Sequence, residues 1–440
     1  MLRQGLLIRK QQQSNGEGNV EPRKSSDRIK LSKDDEENMK RKYQRKCNIR
    51  FSHILTVVIF IYVLDFLLLQ HGISKSIIRE KEDEVHRCNK IRSETMSTKA
   101  LELSFNITYP LPSDVTISAI RSLYKGDKLS SNFVKQVLQS SKLQLASLPS
   151  VVSVTIPHKN VGAHIAQHTS SKPTYLTIVG DTHGQFYGVM NIFAKYGFPT
   201  PNTPYIFNGD MVDNGDHSVK LLLSLLMIKL SCPDCIHFTR GNHETEILFG
   251  KRVYNEISTL FGTENNKELY DLFVQTVREI PIAAILTGSR CTALVMHGGL
   301  PKHNMTLEFI RNIKRDIDPP KDSLFEGLLW VDPHNQTGLG QGRRGVLFGP
   351  DVTESFLNRH NLCSLIRGHT YLSKGYATTH NNTIITLNSA PKRRGHTGAI
   401  LQVERDMMKE SLTKGIHTFD AYSFPSLQEE EWQSFGCFEE

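Results

Sequence analysis

The amino-acid sequence predicts an α/β fold. From residue 175 onward, short apolar and β-branched runs recur, and each ends in a small residue that a polar cluster follows at once. Stretches with the helical spacing of apolar residues lie between these runs. Strands that alternate with helices are typical of α/β folds, which carry their functional sites at the carboxyl ends of the strands.

The first fifty residues predict a disordered tail. The chain of 440 residues has a net charge of +8, and much of the basic excess lies in residues 1–50. This stretch is hydrophilic and shows almost no apolar periodicity, which is typical of solvated, unfolded segments. Because no series of aromatic residues interleaves its charges, we predict no nucleic-acid binding.

Residues 51–70 predict a single transmembrane helix. They are almost wholly apolar, and Asp65 is the one charged residue among them. Nineteen residues from Phe51 to Leu69 would cover about 28 Å as a helix, roughly the hydrocarbon thickness of a bilayer. The alternative is a buried helix of a soluble domain. The segment begins too far into the chain for a cleaved signal peptide.

The charges that flank this segment favour a cytoplasmic N-terminus. Lys and Arg number seven in residues 31–50 and five in residues 71–90, and the more positive flank usually remains in the cytoplasm. Residues 71–109 are charged and predict a stalk that links the span to a globular domain. Glycosylation sequons occur at Asn106, Asn304, Asn335 and Asn381.

The globular part begins near residue 110 with two helical stretches, 117–124 and 133–145. Further helices are predicted in the segments that separate the strands, at 186–196, 219–230 and 267–280. Six runs predict strands with their polar ends, at 175–184, 205–213, 236–244, 292–299, 362–370 and 383–390.

The polar residues at these strand ends predict a metal-dependent hydrolytic site. Carboxylate, imidazole and carboxamide ligands together suit Mn, Fe or Zn. Two such ions with a bridging Asp would activate a hydroxide nucleophile, and a spare His beside a second Asp would protonate the leaving group. Each residue alone would be ordinary, so the prediction depends on their joint occurrence. The residues are Asp181, His183, Asp210, Asp213, Asn242, His243, His297 and His369.

The segments GDTHGQFYG, GDMVDNG, RGNHET and MHGGL resemble the signature blocks of the PPP family of serine/threonine protein phosphatases. The resemblance covers roughly residues 110–405. PYIFNGD, FGPDVT at 348–353 and VTIS at 115 resemble the phosphatase-five subfamily. The implied fold is a metallophosphoesterase-type β-sandwich flanked by helices, over residues 110–425, with a tail at 426–440. The tetratricopeptide repeats of that subfamily are not recognisable, so we predict no partners bound through them.

The resemblance implies a role for each of these residues. Asp181, His183 and Asp210 would hold one metal ion. Asp210, Asn242, His297 and His369 would hold the second, with Asp210 as the bridge. His243 would be the general acid, oriented by Asp213, and Arg344 would bind the substrate phosphate. The cofactors are thus two divalent ions, with Mn foremost and Fe or Zn as alternatives.

Four positions depart from the family pattern. Asn214 replaces the Arg of GDxVDRG, and SAPKRR at 389–394 replaces SAPNYC. The RGVLFG segment is shortened, and Gly368 precedes His369 where relatives usually have another residue. Arg is preferred at phosphate because its planar guanidinium gives two charge-assisted hydrogen bonds. We therefore advance the hypothesis that Arg393 supplies the charge that Asn214 lacks. The alternative is a solvated basic loop.

The predicted function is the hydrolysis of phosphoserine and phosphothreonine in proteins. A membrane-tethered pseudophosphatase that binds phosphoproteins, and a phosphoesterase of small substrates, remain as alternatives. The seven Cys are scattered and odd in number, so no disulfide framework is readable. We expect Cys232 and Cys235 to be two semi-buried thiols on a loop.

Overall fold

The computed structural model describes residues 109–156, 174–264, 266–391, 395–406, 409–420, 427 and 432. These residues belong to one compact unit. The predicted basic tail, the predicted span at 51–70 and the residues Lys392, Arg393 and Arg394 lie outside them. Within the described residues, no helix has the length and apolar character needed to cross a membrane.

Two β-sheets form the centre of this unit. The five-stranded sheet contains β2 (Leu176–Val179), β3 (Tyr205–Asn208), β4 (Ile236–Thr239), β13 (Gly398–Val403) and β14 (Ile416–Phe419). Its strand order is β14-β13-β2-β3-β4. The six-stranded sheet contains β1 (Val151–Thr155), β5 (Ala283–Thr287), β6 (Thr292–Met296), β10 (Ser364–Arg367), β11 (Tyr376–Thr379) and β12 (Ile384–Leu387). Its strand order is β1-β5-β6-β10-β12-β11.

Helices cover the outer face of each sheet. The helices that pack with the five-stranded sheet are α1 (Ser113–Lys125), α2 (Ser131–Ala146), α3 (Phe186–Tyr196), α4 (Ser218–Ser231), α5 (Glu246–Phe261) and α6 (Asn266–Arg278). Those on the six-stranded sheet are α7 (Leu307–Arg311), α8 (Leu324–Trp330) and α9 (Pro350–Arg359). Gly250 interrupts α5 with φ 45° and ψ −163°, so this element is two helical segments. A short 3₁₀ helix spans Lys409–Gly415.

A third, small sheet contributes a hairpin. It consists of β7 (Asp332–Pro333), β8 (Leu339–Gly342) and β9 (Gly345–Phe348), in the order β7-β9-β8. Gly342 pairs with Gly345, so Arg343 and Arg344 form the two-residue turn between β8 and β9.

Alternating side chains of the strands fill three apolar cores. In β3, Tyr205 and Phe207 enter the core beneath the helices, whereas Ile206 enters the core between the two sheets. All three side chains are fully buried. A strand that is buried on both faces reads as a continuous apolar run. The six predicted strands are confirmed, and so is the α/β sandwich flanked by helices.

The carboxyl ends of the predicted strands meet at one edge of the sandwich. β2, β3 and β4 are parallel in one sheet, and β6, β10 and β12 are parallel in the other. A parallel bridge between Asp181 and Asn388 joins the two sheets just beyond β2 and β12. The polar clusters that follow these strands therefore come together.

The structure corrects the expectation of free thiols. Cys232 and Cys235 form a disulfide in the connection between α4 and β4. Cys291 and Cys363 form a second, with their Cα atoms 5.7 Å apart. Both disulfides lie at the amino ends of strands, immediately before β4, β6 and β10. The sequence offered no sign of the second pair, because its residues are 72 positions apart and only the adjacency of β6 and β10 brings them together.

Candidate active site

Tight turns at the strand ends hold the candidate residues in left-handed backbone conformations. Non-glycine residues adopt positive φ infrequently, and such residues cluster at functional sites. Five residues of this edge have φ between 45° and 66°: His183, Asp210, Asp213, Asn214 and His369. Gly209 and Gly215 allow the close packing of these turns. A Cβ at Gly215 would lie 2.1 Å from the carbonyl oxygen of His183.

Asp210 lies at the centre of the site and is 2% exposed. Its Oδ1 accepts a hydrogen bond from the backbone N–H of His243 at 3.0 Å. The same oxygen is 3.3 Å from His297 Nε2, and Oδ2 is 3.8 Å from the Nε2 atoms of His183 and His243. Burial alone would raise the pKa of Asp210, but the three imidazoles lower it well below its usual range. Asp210 is therefore held as a carboxylate.

Three metal-binding atoms, from Asn242, His297 and His369, converge on one side of Asp210. Asn242 Oδ1 lies 3.0 Å from His297 Nε2 and 2.9 Å from His369 Nδ1. His297 Nδ1 donates to the carbonyl oxygen of Asn208 at 3.0 Å. Burial alone would lower the pKa of His297, but Asp210 outweighs burial and raises it to about 9. Without a bound cation, Nε2 therefore also carries a proton, which it directs toward Asp210 and Asn242. Asp210, His297 and His369 form one group that could hold a metal ion.

The donor set fits a divalent cation. A divalent cation could take the place of the His297 Nε2 proton, because the carboxylate oxygen, amide oxygen and imidazole nitrogen atoms gathered here are ligands that such ions accept. His369 Nε2 is buried with no hydrogen-bond partner among the described residues. The side chains of Asn242, His297 and His369 are buried as well, so little water reaches them.

A second cluster lies on the other side of Asp210. His183 Nε2 is 3.8 Å from Asp210 Oδ2 and 4.0 Å from Asp181 Oδ2. Burial raises the pKa of Asp181 to about 7, although the neighbouring His297 opposes this. A bound cation would reverse that shift and keep the carboxylate charged. His183, Asp210 and His243 also form a group that could hold an ion, so His243 is placed beside this cluster.

His243 and Asp213 form a hydrogen-bonded pair. Nδ1 of His243 donates to Asp213 Oδ2 at 2.9 Å, which leaves Nε2 directed toward Asp210. Burial alone would lower the pKa of His243, but Asp210 and Asp213 outweigh burial and raise it. The pair thus favours an imidazolium whose free N–H faces the site, as a proton donor requires.

Two further residues, Glu244 and Asn208, position this centre. Glu244 accepts hydrogen bonds from the backbone N–H groups of Asp210, Met211 and Gly241, each at 2.8 Å. It thereby joins the turn after β3 to the turn after β4. Asn208 fixes the His297 ring through its carbonyl oxygen. Glu244 lies within the RGNHET segment, but its role depends on contacts to another turn that a single sequence does not reveal.

Arg344 lies at the rim of the site. Its Nη2 donates to Asp332 Oδ2 at 2.7 Å, and its Nη1 donates to the carbonyl oxygen of His369 at 3.3 Å. Asp332 also accepts from Arg367 at 2.9 Å and from Thr370 at 2.6 Å. Asp332 was not predicted from the sequence, and it orients Arg344 beside His369 of the first cluster.

Asn214 borders a cavity of about 480 Å³ whose lining also includes His183, Ala390 and Pro391. Its amide Nδ2 is 3.5 Å from His183 Nδ1. The proposed substitute, Arg393, lies outside the described residues and stays a hypothesis, although the chain leaves the described part at Pro391 on this same rim. Arg252 of α5 was not anticipated, and its Nη1 donates to the carbonyl oxygen of Asn214 at 3.0 Å.

The structure explains why a glycine precedes His369 at position 368. A Cβ at this position would lie 2.4 Å from Asp181 Oδ1 and 3.2 Å from His297 Nδ1. Without it, the backbone N–H of His369 donates to Asp181 Oδ1 at 2.9 Å. The glycine therefore permits Asp181 to pack directly against the loop that carries His369.

Comparisons with known proteins agree with this geometry. Residues 174–372 match the family described as "Calcineurin-like phosphoesterase". The chain is 35% identical over 328 residues to "Serine/threonine-protein phosphatase 5" of Arabidopsis thaliana, covering 72% of this chain and 56% of that protein. It is 32% identical over 367 residues to the Rattus norvegicus protein of the same name, covering 80% of this chain and 68% of that protein.

A solved structure is similar as well. It is that of a Saccharomyces cerevisiae protein described as a protein serine/threonine phosphatase with similarity to human phosphatase PP5. It aligns with a TM-score of 0.59 and 30% identity, over 70% of this chain and 95% of that one. The chain spans little more than half the length of the plant relatives, 56% and 54%. On the strength of these similarities, the chain belongs to the PPP family of serine/threonine protein phosphatases.

Proposed function

We propose that this protein is an active, metal-dependent phosphatase of phosphoserine and phosphothreonine in proteins. The observation that carries the proposal is the His243–Asp213 pair, with a 2.9 Å hydrogen bond, beside two clusters of metal-binding atoms that share Asp210. The related proteins are named serine/threonine-protein phosphatases, which supports the choice of substrate class.

The ligand sets follow from the two clusters. Asp181, His183 and Asp210 would hold one divalent ion. Asn242, His297, His369 and the shared Asp210 would hold the other. When bound, the two ions supply a water nucleophile of lowered pKa and Lewis-acid polarisation of the phosphoryl group. Mn is the foremost candidate, with Fe or Zn as alternatives, because mixed oxygen and imidazole ligands suit all three.

The remaining steps belong to the protein's own side chains. Arg344, oriented by Asp332, binds a phosphate oxygen through a guanidinium N–H. His243 Nε2–H donates its proton to the serine or threonine oxygen of the substrate as the bond to phosphorus breaks. Asp213 accepts the hydrogen bond from His243 Nδ1, which keeps the proton on that nitrogen. Its negative charge also stabilises the imidazolium before the proton transfer. Glu244 holds the two turns that carry Asp210 and His243 in register.

Asn214 weakens this arrangement without removing it. A missing charge-assisted hydrogen bond to phosphate costs roughly 1.5–3 kcal/mol. If the whole of that loss is felt in the transition state, the rate falls about ten- to a hundred-fold. Turnover should therefore be slow and measurable.

Asn214 also favours a second candidate, a membrane-tethered pseudophosphatase that binds phosphorylated proteins without hydrolysing them. Such a protein would keep its metal ions and its affinity for phosphate. It would not need the His243–Asp213 pair. Because this pair is intact, the active phosphatase remains the favoured candidate.

A kinetic test separates the candidates. The full chain, solubilised with detergent and loaded with Mn²⁺, is assayed on an aryl phosphate, on phosphoserine and phosphothreonine peptides, and on nucleotides. We expect turnover of the aryl phosphate and a preference for the phosphopeptides over the nucleotides. A preference for nucleotides would contradict the proposed substrate class.

His243→Asn is the matched control, because it removes the acid and keeps a polar side chain of similar size. Activity no higher than that of this variant, with both ions present by elemental analysis, would establish the pseudophosphatase.

A further inference from the structure

The described part of the chain carries two features of a protein exposed to an oxidising compartment. The first is its pair of disulfides, Cys232–Cys235 and Cys291–Cys363. Disulfides persist in secreted proteins and in the secretory lumen, and they are rare in the cytosol, where thiols are kept reduced. Cys291 and Cys363 pack against the core between the two sheets, Cys235 is fully buried and Cys232 is 9% exposed.

These disulfides are remote from the candidate chemistry. They precede β4, β6 and β10, whereas Asn242, His297 and His369 follow the same three strands. Transient catalytic disulfides would be expected beside a reaction centre. A pair of bridges at the opposite ends of the strands instead has the character of structural crosslinks, which need an oxidising environment to form and to last.

The second feature is the position of the glycosylation sequons. Asn304, Asn335 and Asn381 lie in three separate connections and all are exposed. Asn304 lies before α7, Asn335 lies between β7 and β8, and Asn381 lies in the turn between β11 and β12. Asn-X-Ser/Thr sequons accept a glycan where they are exposed on the surface of a secretory protein.

We infer that the phosphatase domain resides on the lumenal or extracellular side of a membrane system, with oxidised Cys232–Cys235 and Cys291–Cys363 pairs and N-linked glycans at Asn304, Asn335 and Asn381. The inference rests on residues within the described domain. The predicted span at 51–70 with a cytoplasmic N-terminus would place the domain on the same side, but it lies outside the described residues.

Both modifications use reactants of the secretory lumen, an oxidant for the thiols and a lipid-linked glycan donor for the Asn side chains. Each pair of thiols gives two electrons and two protons to the disulfide of a lumenal thiol–disulfide oxidoreductase, which becomes a dithiol. At each sequon, the Asn amide nitrogen loses a proton and bonds the anomeric carbon of a lipid-pyrophosphate-linked oligosaccharide, and lipid pyrophosphate leaves.

The inference extends the proposed function by restricting its substrates. A phosphatase domain in this location meets the phosphorylated segments of secreted, lumenal or cell-surface proteins rather than those of cytosolic proteins. Glycan attachment, thiol oxidation and protease resistance are measured without any activity readout, so their outcome is independent of whether the enzyme turns over.

The experiment uses the full chain expressed in cultured eukaryotic cells. Its mobility on a denaturing gel is compared before and after treatment with peptide:N-glycosidase, which converts each glycosylated Asn to Asp for detection by mass spectrometry. We expect a loss of apparent mass, and a stepwise reduction of this loss in Asn304→Gln, Asn335→Gln and Asn381→Gln. The matched control is Asn358→Gln, because Asn358 is exposed on α9 without a sequon and its substitution should leave the shift unchanged.

Thiol labelling and protease protection complete the test without substitutions. Alkylation in unreduced lysate should leave the four cysteines unmodified, and the digest should contain the two disulfide-linked peptides. In sealed microsomes the domain should resist added protease until detergent is supplied. A chain that carries no glycan overturns the inference, and so does a chain that alkylates at all four cysteines or is cleaved in sealed vesicles.

Discussion

At the scale of single residues, the central question is whether His243 donates a proton or binds a metal ion. The structure places His243 Nε2 at 3.8 Å from Asp210 Oδ2, in one group with His183. Its other nitrogen is held by Asp213. If His243 is a proton donor, removing its imidazole lowers kcat and leaves both metal ions bound. If it is a ligand, the same change also releases an ion.

We therefore expect His243→Asn to lose at least about a hundred-fold in kcat, the contribution of a general acid, while both ions remain bound. Asp213→Asn should have a smaller effect of the same kind, because it leaves the ring and removes its orienting carboxylate. Metal content by elemental analysis and kcat by aryl phosphate turnover are measured on the same samples. Loss of one ion in His243→Asn would make His243 a ligand.

The charge missing at Asn214 has two candidate substitutes, Arg252 and Arg393. Burial alone would raise the pKa of Asp213, but the hydrogen bond from His243 lowers it, and the charge of Arg252 acts in the same direction. Arg252 is exposed, so its electrostatic contribution is screened by solvent.

We expect Arg252→Ala to raise KM and the inhibition constant of inorganic phosphate about two- to five-fold, as the loss of an exposed charge worth up to about 1 kcal/mol predicts. Kinetics at low and at moderate salt are compared for Arg252→Ala, Arg393→Ala and the doubly substituted chain. If the inhibition constant of phosphate is unchanged in Arg252→Ala and raised in Arg393→Ala, Arg393 is the residue that supplies the missing charge.

Restoring the Arg of the family pattern at position 214 tests the effect of the missing charge directly. Asn tolerates the left-handed region better than most residues, and its φ here is 61°. Asn214→Arg should lower the inhibition constant of phosphate about ten-fold or more, while the backbone strain lowers the free energy of unfolding by about 1 kcal/mol. Phosphate inhibition and urea denaturation measure the two effects separately. Tighter phosphate binding should fail to appear if another cation already fills the position.

At the scale of secondary-structure elements, the connection from α4 to β4 depends on a buried lysine. Lys229 is 4% exposed, and its Nζ donates to the carbonyl oxygens of Pro233 and Ile236. Burial lowers the pKa of Lys229 to about 8, although Asp234 opposes the shift. The folded protein thus releases this proton near pH 8, whereas the unfolded chain keeps it until about pH 10.5.

Between these values a higher pH favours the folded state, by at most about 1.4 kcal/mol per pH unit. We expect Lys229→Met to lose this slope and to unfold about 2–4 kcal/mol more easily at pH 7, because two carbonyl groups lose their donor. Urea denaturation of both proteins from pH 7 to pH 10 gives the comparison. Parallel pH dependences would contradict the lowered pKa.

The elements also show what a single sequence can predict. The six strands that end in polar clusters were predicted because they are buried on both faces and stop abruptly. β1, β5 and β13 were not predicted, since no polar cluster marks their ends and an apolar run alone does not distinguish a strand from a helix. The positions of Arg344 and Asp332 likewise follow from β7, β8 and β9, which pair only in three dimensions.

The sequence predicted the residues of the candidate site, but it did not predict the residues that hold them in position. Asp, His and Asn at successive strand ends indicate metal chemistry because the carboxyl ends of parallel strands meet. Glu244 and Arg252 bind backbone groups of other turns, and the carbonyl oxygen of Asn208 binds the His297 ring. These roles appear only once the turns are placed. The pairing of Cys291 with Cys363 was missed for the same reason.

At the scale of the whole molecule, the two disulfides differ in the length of chain that they close. Cys291 and Cys363 are 72 residues apart, whereas Cys232 and Cys235 are 3 apart. In the chain-entropy account a longer loop constrains the unfolded state more, with about 4 kcal/mol for the first pair and about 1.5 kcal/mol for the second.

We therefore expect Cys291→Ser/Cys363→Ser to lower the melting temperature more than Cys232→Ser/Cys235→Ser. Differential scanning calorimetry of both double variants checks the order, and treatment of the unsubstituted protein with a reductant is the control. Equal melting temperatures, or a reductant without effect, would contradict a stabilising role for the longer bridge.

The two ends of the parallel strands also determine how the protein could be handled. The candidate site lies at the carboxyl ends, and the turn that contains Asn381 lies at the amino end of β12. An antibody fragment or a surface-coupling chemistry directed at this turn would capture the protein with its candidate site facing the solution. Immobilisation through Pro391 would instead cover the cavity that Asn214 and His183 line.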